Sequence, residues 1–122
     1  MTKKRLLIIE DEFLIQHSLK KLFEKKGLLV DVTNSGKKAI NLIHTKDYDK
    51  IICDLMLKDI TGFEVIEESK KKFTTEDIKT KFVIMTAYSS EQILEKASYY
   101  QCKIINKPFN IFNNQILDNF LD

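Results

Sequence analysis

The sequence predicts an α/β chain with a doubly wound, five-stranded parallel sheet in strand order 2-1-3-4-5, and three observations carry that prediction. Five short apolar runs alternate with stretches whose apolar residues fall at helical spacing. Each run is continuous rather than alternating in polarity, as expected of strands covered on both faces by helices. The strict alternation makes right-handed crossovers the natural connection, which leaves few topologies, and the doubly wound order is the most economical for five units. With 122 residues and 43% hydrophobic content the chain is long enough for one real core and too short for two.

The first run, Arg5 to Ile9, stops abruptly at Glu10, Asp11 and Glu12. Residues 13–26 follow with Leu14, Ile15, Leu19, Leu22 and Phe23 on helical spacing, and Gly27 stands where a left-handed C-terminal cap would sit. Residues 28–32 form the second strand candidate; Asn34 and Ser35 offer a cap for a helix carrying Ala39, Ile40, Leu42 and Ile43. Residues 51–55 are the third strand, which delivers Asp54 to a loop containing Thr61 and Gly62. A helix through Phe63, Val65, Ile66 and Ser69 ends at Lys70, Lys71 and Lys72, a run that reads as a solvated helix end. Residues 73–81 read as a polar connection without a clear element, and residues 82–85 as a fourth strand ending at Thr86 and Ala87. Ser89 or Ser90 then caps a helix with Ile93, Leu94 and Ala97 on one face. Lys103 to Asn106 holds the fifth strand, followed by Lys107, Pro108 and a last helix with Phe112, Ile116, Leu117, Phe120 and Leu121 on its apolar side.

Charge excludes some functions. Basic residues number 20 and acidic residues 18, interleaved to a formal net charge of +2, which leaves no nucleic-acid footprint; Arg5 is the sole arginine. The N-terminal MTKKRLLIIEDE has too short an apolar stretch for a signal peptide, and no later run approaches a membrane span. Cys53 and Cys102 lack paired-cysteine or metal-ligand spacing and read as reduced thiols of an intracellular, cytoplasmic protein. The glycines form no phosphate-cradling pattern, which argues against a nucleotide site.

In a doubly wound sheet the functional groups collect at the carboxyl ends of the strands. Here those ends carry Glu10 and Asp11, then Asp54, then Thr86, then Lys107. Capping of the following turn is the plain alternative for Asp54 alone. Three carboxylates in one pocket raise one another's pKa unless they are compensated, and a divalent cation with one lysine balances them. Hard oxygen ligands without His or Cys select Mg²⁺ or Mn²⁺. A neutralised Asp54 is then a usable nucleophile, and its attack on phosphorus gives an acyl phosphate. Lys107 would stabilise the phosphoryl oxygens and the Thr86 hydroxyl would hydrogen-bond the product.

On these residues the chain resembles the response-regulator receiver domains of two-component signalling, with a flavodoxin-like (CheY-like) fold, over essentially its whole length. The matching motifs are LLIIEDE, IICDLMLKDITGFEV, VIMTA and NKPF, in that order. The resemblance implies one receiver domain over residues 1–122, a signalling domain rather than an enzyme, either stand-alone or cut from a longer protein; the initiating Met1 favours a natural start. It implies that Asp54 accepts a phosphoryl group from a sensor histidine kinase or phosphotransfer protein, and that Asp11, Asp54 and the Met56 carbonyl bind the metal, with Glu10 reaching it through water. Thr86, the Ala87 amide and Lys107 then bind the phosphoryl group, and the Lys107 to Pro108 peptide is cis. The expected output is an output protein or a fused output domain, reached through the fourth helix, fifth strand and last helix, and a phosphorylation-dependent homodimer through that surface is a further expectation.

Departures from the family pattern are part of the reading. Glu10 stands where aspartate is commoner, Lys58 where proline is usual, Thr61 for an aspartate or asparagine, and Tyr100 and Gln101 for a Gly-Ala pair. Ile104 occupies the place of the aromatic residue whose rotation follows phosphorylation, and Tyr88, Tyr99 or Tyr100 are the substitutes at hand. Two rivals belong to other classes. A haloacid-dehalogenase-like phosphatase needs a second acid where this chain has Met56. A receiver that is never phosphorylated and serves as an interaction module is suggested by Glu10 and Ile104, and opposed by Asp11, Asp54, Thr86 and Lys107.

Overall fold

The computed structural model describes residues 4–87, 90–107 and 120. Its elements run β1 (Arg5–Ile9), α1 (Phe13–Lys25), β2 (Leu29–Thr33), α2 (Gly36–Thr45), β3 (Lys50–Asp54), α3 (Gly62–Ser69), α4 (Thr75–Lys81), β4 (Phe82–Thr86), α5 (Glu91–Tyr100) and β5 (Lys103–Asn106). All five strands are parallel in the order β2-β1-β3-β4-β5, as the sequence predicts. Tyr88, Ser89, Pro108 with its peptide bond, and Phe112, Ile116, Leu117 and Leu121 of the expected last helix lie outside the described residues; Phe120 is helical and buried.

Side chains of successive strand residues point to opposite faces, so each continuous apolar run feeds two cores. Leu7, Ile9, Ile51, Cys53, Phe82 and Ile84 face the layer that holds Ile43, Val65, Ile66, Ile78 and Tyr100. Leu6, Ile8, Ile52, Val83 and Met85 face Leu19 and Phe23 of α1, with Phe120 edge-on to Phe23. Helix α1 ends with Leu28 N–H donating to the Phe23 carbonyl and Gly27 N–H to that of Glu24, Gly27 holding φ at +89°. This is the Schellman arrangement, which only glycine enters without strain.

Two expectations need correction. Residues 73–81 are not a bare connection: Thr75–Lys81 is helical, set by a capping box in which Thr74 and Asp77 bond each other's backbone N–H groups. The polar composition hid it because this short helix buries only Ile78. Lys72 is not simply solvated either, since its ammonium donates to the Ile43 and Lys46 carbonyls at 2.7 and 2.9 Å and closes the C-terminus of α2. Ile104 is half-buried, because β5 is the edge strand of the described sheet and has a neighbour on one side only. No helix among the described residues is long and apolar enough to cross a membrane. Cys53 and Cys102 are free and buried.

Candidate functional site

Register decides which strand ends meet. Cys53 lies beside Ile9 and Ile84, Asp54 beside Met85, and Thr86 beside Asn106, so the residues that follow β1, β3, β4 and β5 emerge together on one rim. There a cavity of about 310 Å³ is lined by Asp11, Glu12, Asp54, Met56, Lys58, Ala87 and Lys107. Glu10, at 0% exposure, and Thr86, at 1%, lie beneath it rather than on its wall.

Asp54 is 5% exposed, and both its carboxylate oxygens are engaged. Oδ1 accepts from the Met56 N–H at 3.1 Å and Oδ2 from the Lys107 ammonium at 3.0 Å. The same ammonium lies 2.5 Å from Glu10 Oε1. The other Glu10 oxygen, Oε2, accepts from Glu12 N–H at 3.1 Å. Burial pushes the Glu10 carboxyl up to about 7; the lysine pulls it down, and the charge of Asp54 raises it further. Burial likewise lowers the Lys107 ammonium, but hydrogen bonds and charges from Glu10 and Asp54 together outweigh it and hold it above its ordinary value.

Glu10, Asp11 and Asp54 each offer an oxygen, and the three lie within 4.8 Å of one another. All are hard donors, suited to Mg²⁺ or Mn²⁺. The Lys107 ammonium contacts two of these three carboxylates, Glu10 and Asp54.

The loop after Asp54 is tightly drawn. Met56 bridges Thr61, Gly62 N–H donates to the Leu55 carbonyl at 2.9 Å, and the Thr61 hydroxyl caps α3 by accepting from Glu64 N–H. A Cβ on Gly62 would stand 2.5 Å from the Asp54 carbonyl oxygen, so the start of α3 can close on β3 only with glycine there. Below the rim, Lys107 N–H donates to the Thr86 carbonyl at 2.8 Å and ties the lysine to the end of β4.

Of the sequence-predicted residues, Glu10, Asp11, Asp54, Met56, Thr86, Ala87 and Lys107 are brought to this rim. Tyr99 and Ile104 are not, and Tyr88 lies outside the described residues. Tyr99 is 74% exposed on the far end of α5, and Ile104 sits in β5 against the α2 to α5 layer. Glu12, Lys58 and Asp59 were missed. Glu12 and Lys58 line the cavity, and Asp59 reaches from the loop after Asp54 to the N-terminus of α2. The first two are polar residues next to motif positions, a weak signal; Asp59 has none, because its partners are more than twenty residues away in sequence.

The family model described as "Response regulator receiver domain" matches residues 6–117. The chain is 33% identical over 86 residues to the response regulator SaeR of Staphylococcus aureus, covering 70% of this chain and 36% of SaeR. It is 27% identical over 108 residues to the aerobic respiration control sensor protein ArcB of Escherichia coli, covering 86% of this chain and 13% of ArcB. It therefore spans well under half the length of these relatives. Among solved structures, the response regulator TrrA of Thermotoga maritima, in complex with Mg²⁺ and BeF, is similar at a TM-score of 0.76 and 27% identity, covering 95% of this chain and 98% of that one. With the fold, the acid-rich rim and a family match over nearly its whole length, the chain belongs to the response-regulator receiver domains, a family of signalling domains rather than classical enzymes.

Proposed function

We propose that residues 1–122 act as one cytoplasmic receiver domain in which Asp54 takes a phosphoryl group from a sensor histidine kinase or phosphotransfer protein. The observation that carries this reading is the meeting of three carboxylate oxygens within 4.8 Å beside an ammonium that already bonds Asp54. In the step, an Asp54 oxygen attacks phosphorus, the new O–P bond forms as the donor's N–P bond breaks, and the electron pair stays on the imidazole, which takes a proton from solvent. Glu10, Asp11, Asp54 and the Met56 carbonyl would hold Mg²⁺ or Mn²⁺. That ion, when bound, supplies positive charge to the carboxylates and to the transferring phosphoryl oxygens.

The chain's own residues do the rest. Met56 N–H fixes one Asp54 oxygen, which orients the other. Lys107 exchanges its contact with Asp54 for the phosphoryl oxygens. The Thr86 hydroxyl and Ala87 N–H move toward the new acceptor oxygens, since the group adds roughly −1.5 to −2 charges. The change leaves the site through the segment after Thr86 into α5 and reaches an output partner or fused output domain through a surface of α5 and β5 that includes Tyr99 and Ile104. Tyr88 and the last helix belong to that surface in the same reading, outside the described residues.

Mass spectrometry after acetyl phosphate treatment tests the proposal. One phosphoryl adduct is expected in Mg²⁺, lost in Asp54→Asn and in EDTA. An adduct that survives either condition unchanged would sink it.

A further inference from the structure

We propose that Asp59 is a positioning residue for the acceptor site, fastening the loop that follows Asp54 to the N-terminus of α2; the consequence for phosphotransfer rests on the reading of Asp54 given above. Asp59 Oδ2 accepts from the Ser35 hydroxyl at 2.8 Å and from Lys37 N–H at 3.0 Å, and Oδ1 accepts from Gly36 N–H at 3.0 Å. A single side chain thus meets two of the N–H groups that a helix start leaves without an intrahelical partner, and places its charge at the positive end of the helix. Those bonds hold the carboxyl far below the usual carboxylate range, Lys37 N–H contributing most.

Apolar contacts back the clamp. A Cβ on Gly36 would come within 2.5 Å of Ile60 Cγ1 and 3.2 Å of Leu57 Cδ1, so the loop lies flush on the first turn of α2. Among the described residues, other polar ties of the 55–61 segment stay within it or run to β3, β4 or α3: Met56 to Asp54 and Thr61, Leu55 to Met85 and Gly62, Thr61 to Glu64. Among the described residues, Asp59 is where polar side-chain contact ties the loop across to α2. The loop in turn supplies the Met56 N–H that orients Asp54. A shift of the loop therefore becomes a shift of the acceptor carboxylate.

A purely structural role would also be served by these contacts. Ser35 already caps α2 by accepting from Lys38 N–H at 3.2 Å, so loss of Asp59 should leave the helix formed while freeing the loop. The two roles separate on what happens at Asp54.

The experiment compares the wild-type chain with Asp59→Ala, Asp59→Asn and Tyr48→Phe. The last removes a hydrogen bond to Asp31 remote from the cavity and controls for general destabilisation. Hydrogen exchange in the absence of metal should be roughly tenfold faster at the Met56 and Gly62 amides in Asp59→Ala, with the strand amides unchanged. At saturating Mg²⁺ and acetyl phosphate its rate of Asp54 modification should fall about tenfold, because a small misplacement of a reacting group is expensive. Asp59→Asn, which keeps an acceptor oxygen, should fall between, and Tyr48→Phe should match wild type in both readouts. Wild-type exchange and rate in folded Asp59→Ala would overturn the proposal, as would an equal slowing in Tyr48→Phe. Should Asp59→Ala not fold, Asp59→Asn decides by the same two readouts. A wild-type chain that takes no phosphoryl group would defeat the acceptor reading, while the amide exchange would still decide whether Asp59 anchors the loop.

Discussion

At the scale of single residues, two polar groups carry more than their own contacts. Lys107 balances two buried carboxylates, and removing one partner of a buried ion pair leaves uncompensated charge worth about 3 kcal/mol. Lys107→Ala should lower the unfolding free energy by that order, still bind Mg²⁺, and lose the response of α5 to phosphorylation. Amide shifts of α5 that follow beryllofluoride as in wild type would mean that the lysine is structural only. At the opposite end of the sheet the Tyr48 hydroxyl donates to Asp31 Oδ2 at 2.7 Å. Burial raises the Asp31 carboxyl, but Tyr48, Lys46 and Arg5 outweigh it and hold it below its ordinary value. A depressed carboxyl stabilises the fold above its unfolded pKa of about 3.9 and loses that contribution as pH falls through the folded value. Tyr48→Phe should therefore lose about 1–2 kcal/mol in urea titrations at pH 7 and progressively less as pH drops below about 4. A difference constant across that range would show that the charged form of Asp31 is not what the hydroxyl serves.

At the scale of elements, helix α5 is joined to α3 by its aromatic residues. Its inner residue Tyr100 stacks on Phe63 with ring centroids 6.1 Å apart and donates its hydroxyl to Glu67 Oε2 at 2.9 Å. Phe63 follows Gly62 directly, so the far end of α5 is packed against the first turn of the helix that leaves the acceptor loop. Lys70 lies over both Tyr99 and Tyr100 rings at 5.5 Å. Ile104 lacks a ring to rotate, and Tyr100 is an aromatic residue that bridges α5 to α3. Amide shifts on adding Mg²⁺ and beryllofluoride should accordingly concentrate in Thr86 to Tyr100 and be small at Ile104. Large changes at Ile104 with a quiet α5 would place the coupling in β5 instead.

For the whole molecule, β5 is an edge strand of the described sheet, and the prediction is that phosphorylation promotes pairing with a second copy of the chain through β5 and α5, by a population shift of a few kcal/mol. Sedimentation should show a larger dimer fraction with Mg²⁺ and beryllofluoride than without, and Tyr99→Ala should reduce it without changing Asp54 modification. Equal dimer fractions in both states would remove self-association from the output.

How much of this was legible beforehand differs by residue. Continuous apolar runs and helical spacing fix a two-sided parallel sheet because burial and periodicity are local in sequence, and the strand-end acids, threonine and lysine follow from the same register logic. Helix α4 was missed because a short helix with a single buried residue, Ile78, has almost no apolar stripe to read. The clamp of Asp59 on Ser35, Gly36 and Lys37, the closure of α2 by Lys72, and the burial of Glu10 beneath the cavity rather than on its wall were decided by tertiary structure alone. Each joins groups remote in sequence, and which donor meets which acceptor is settled only when packing of the two cores sets the distance between elements.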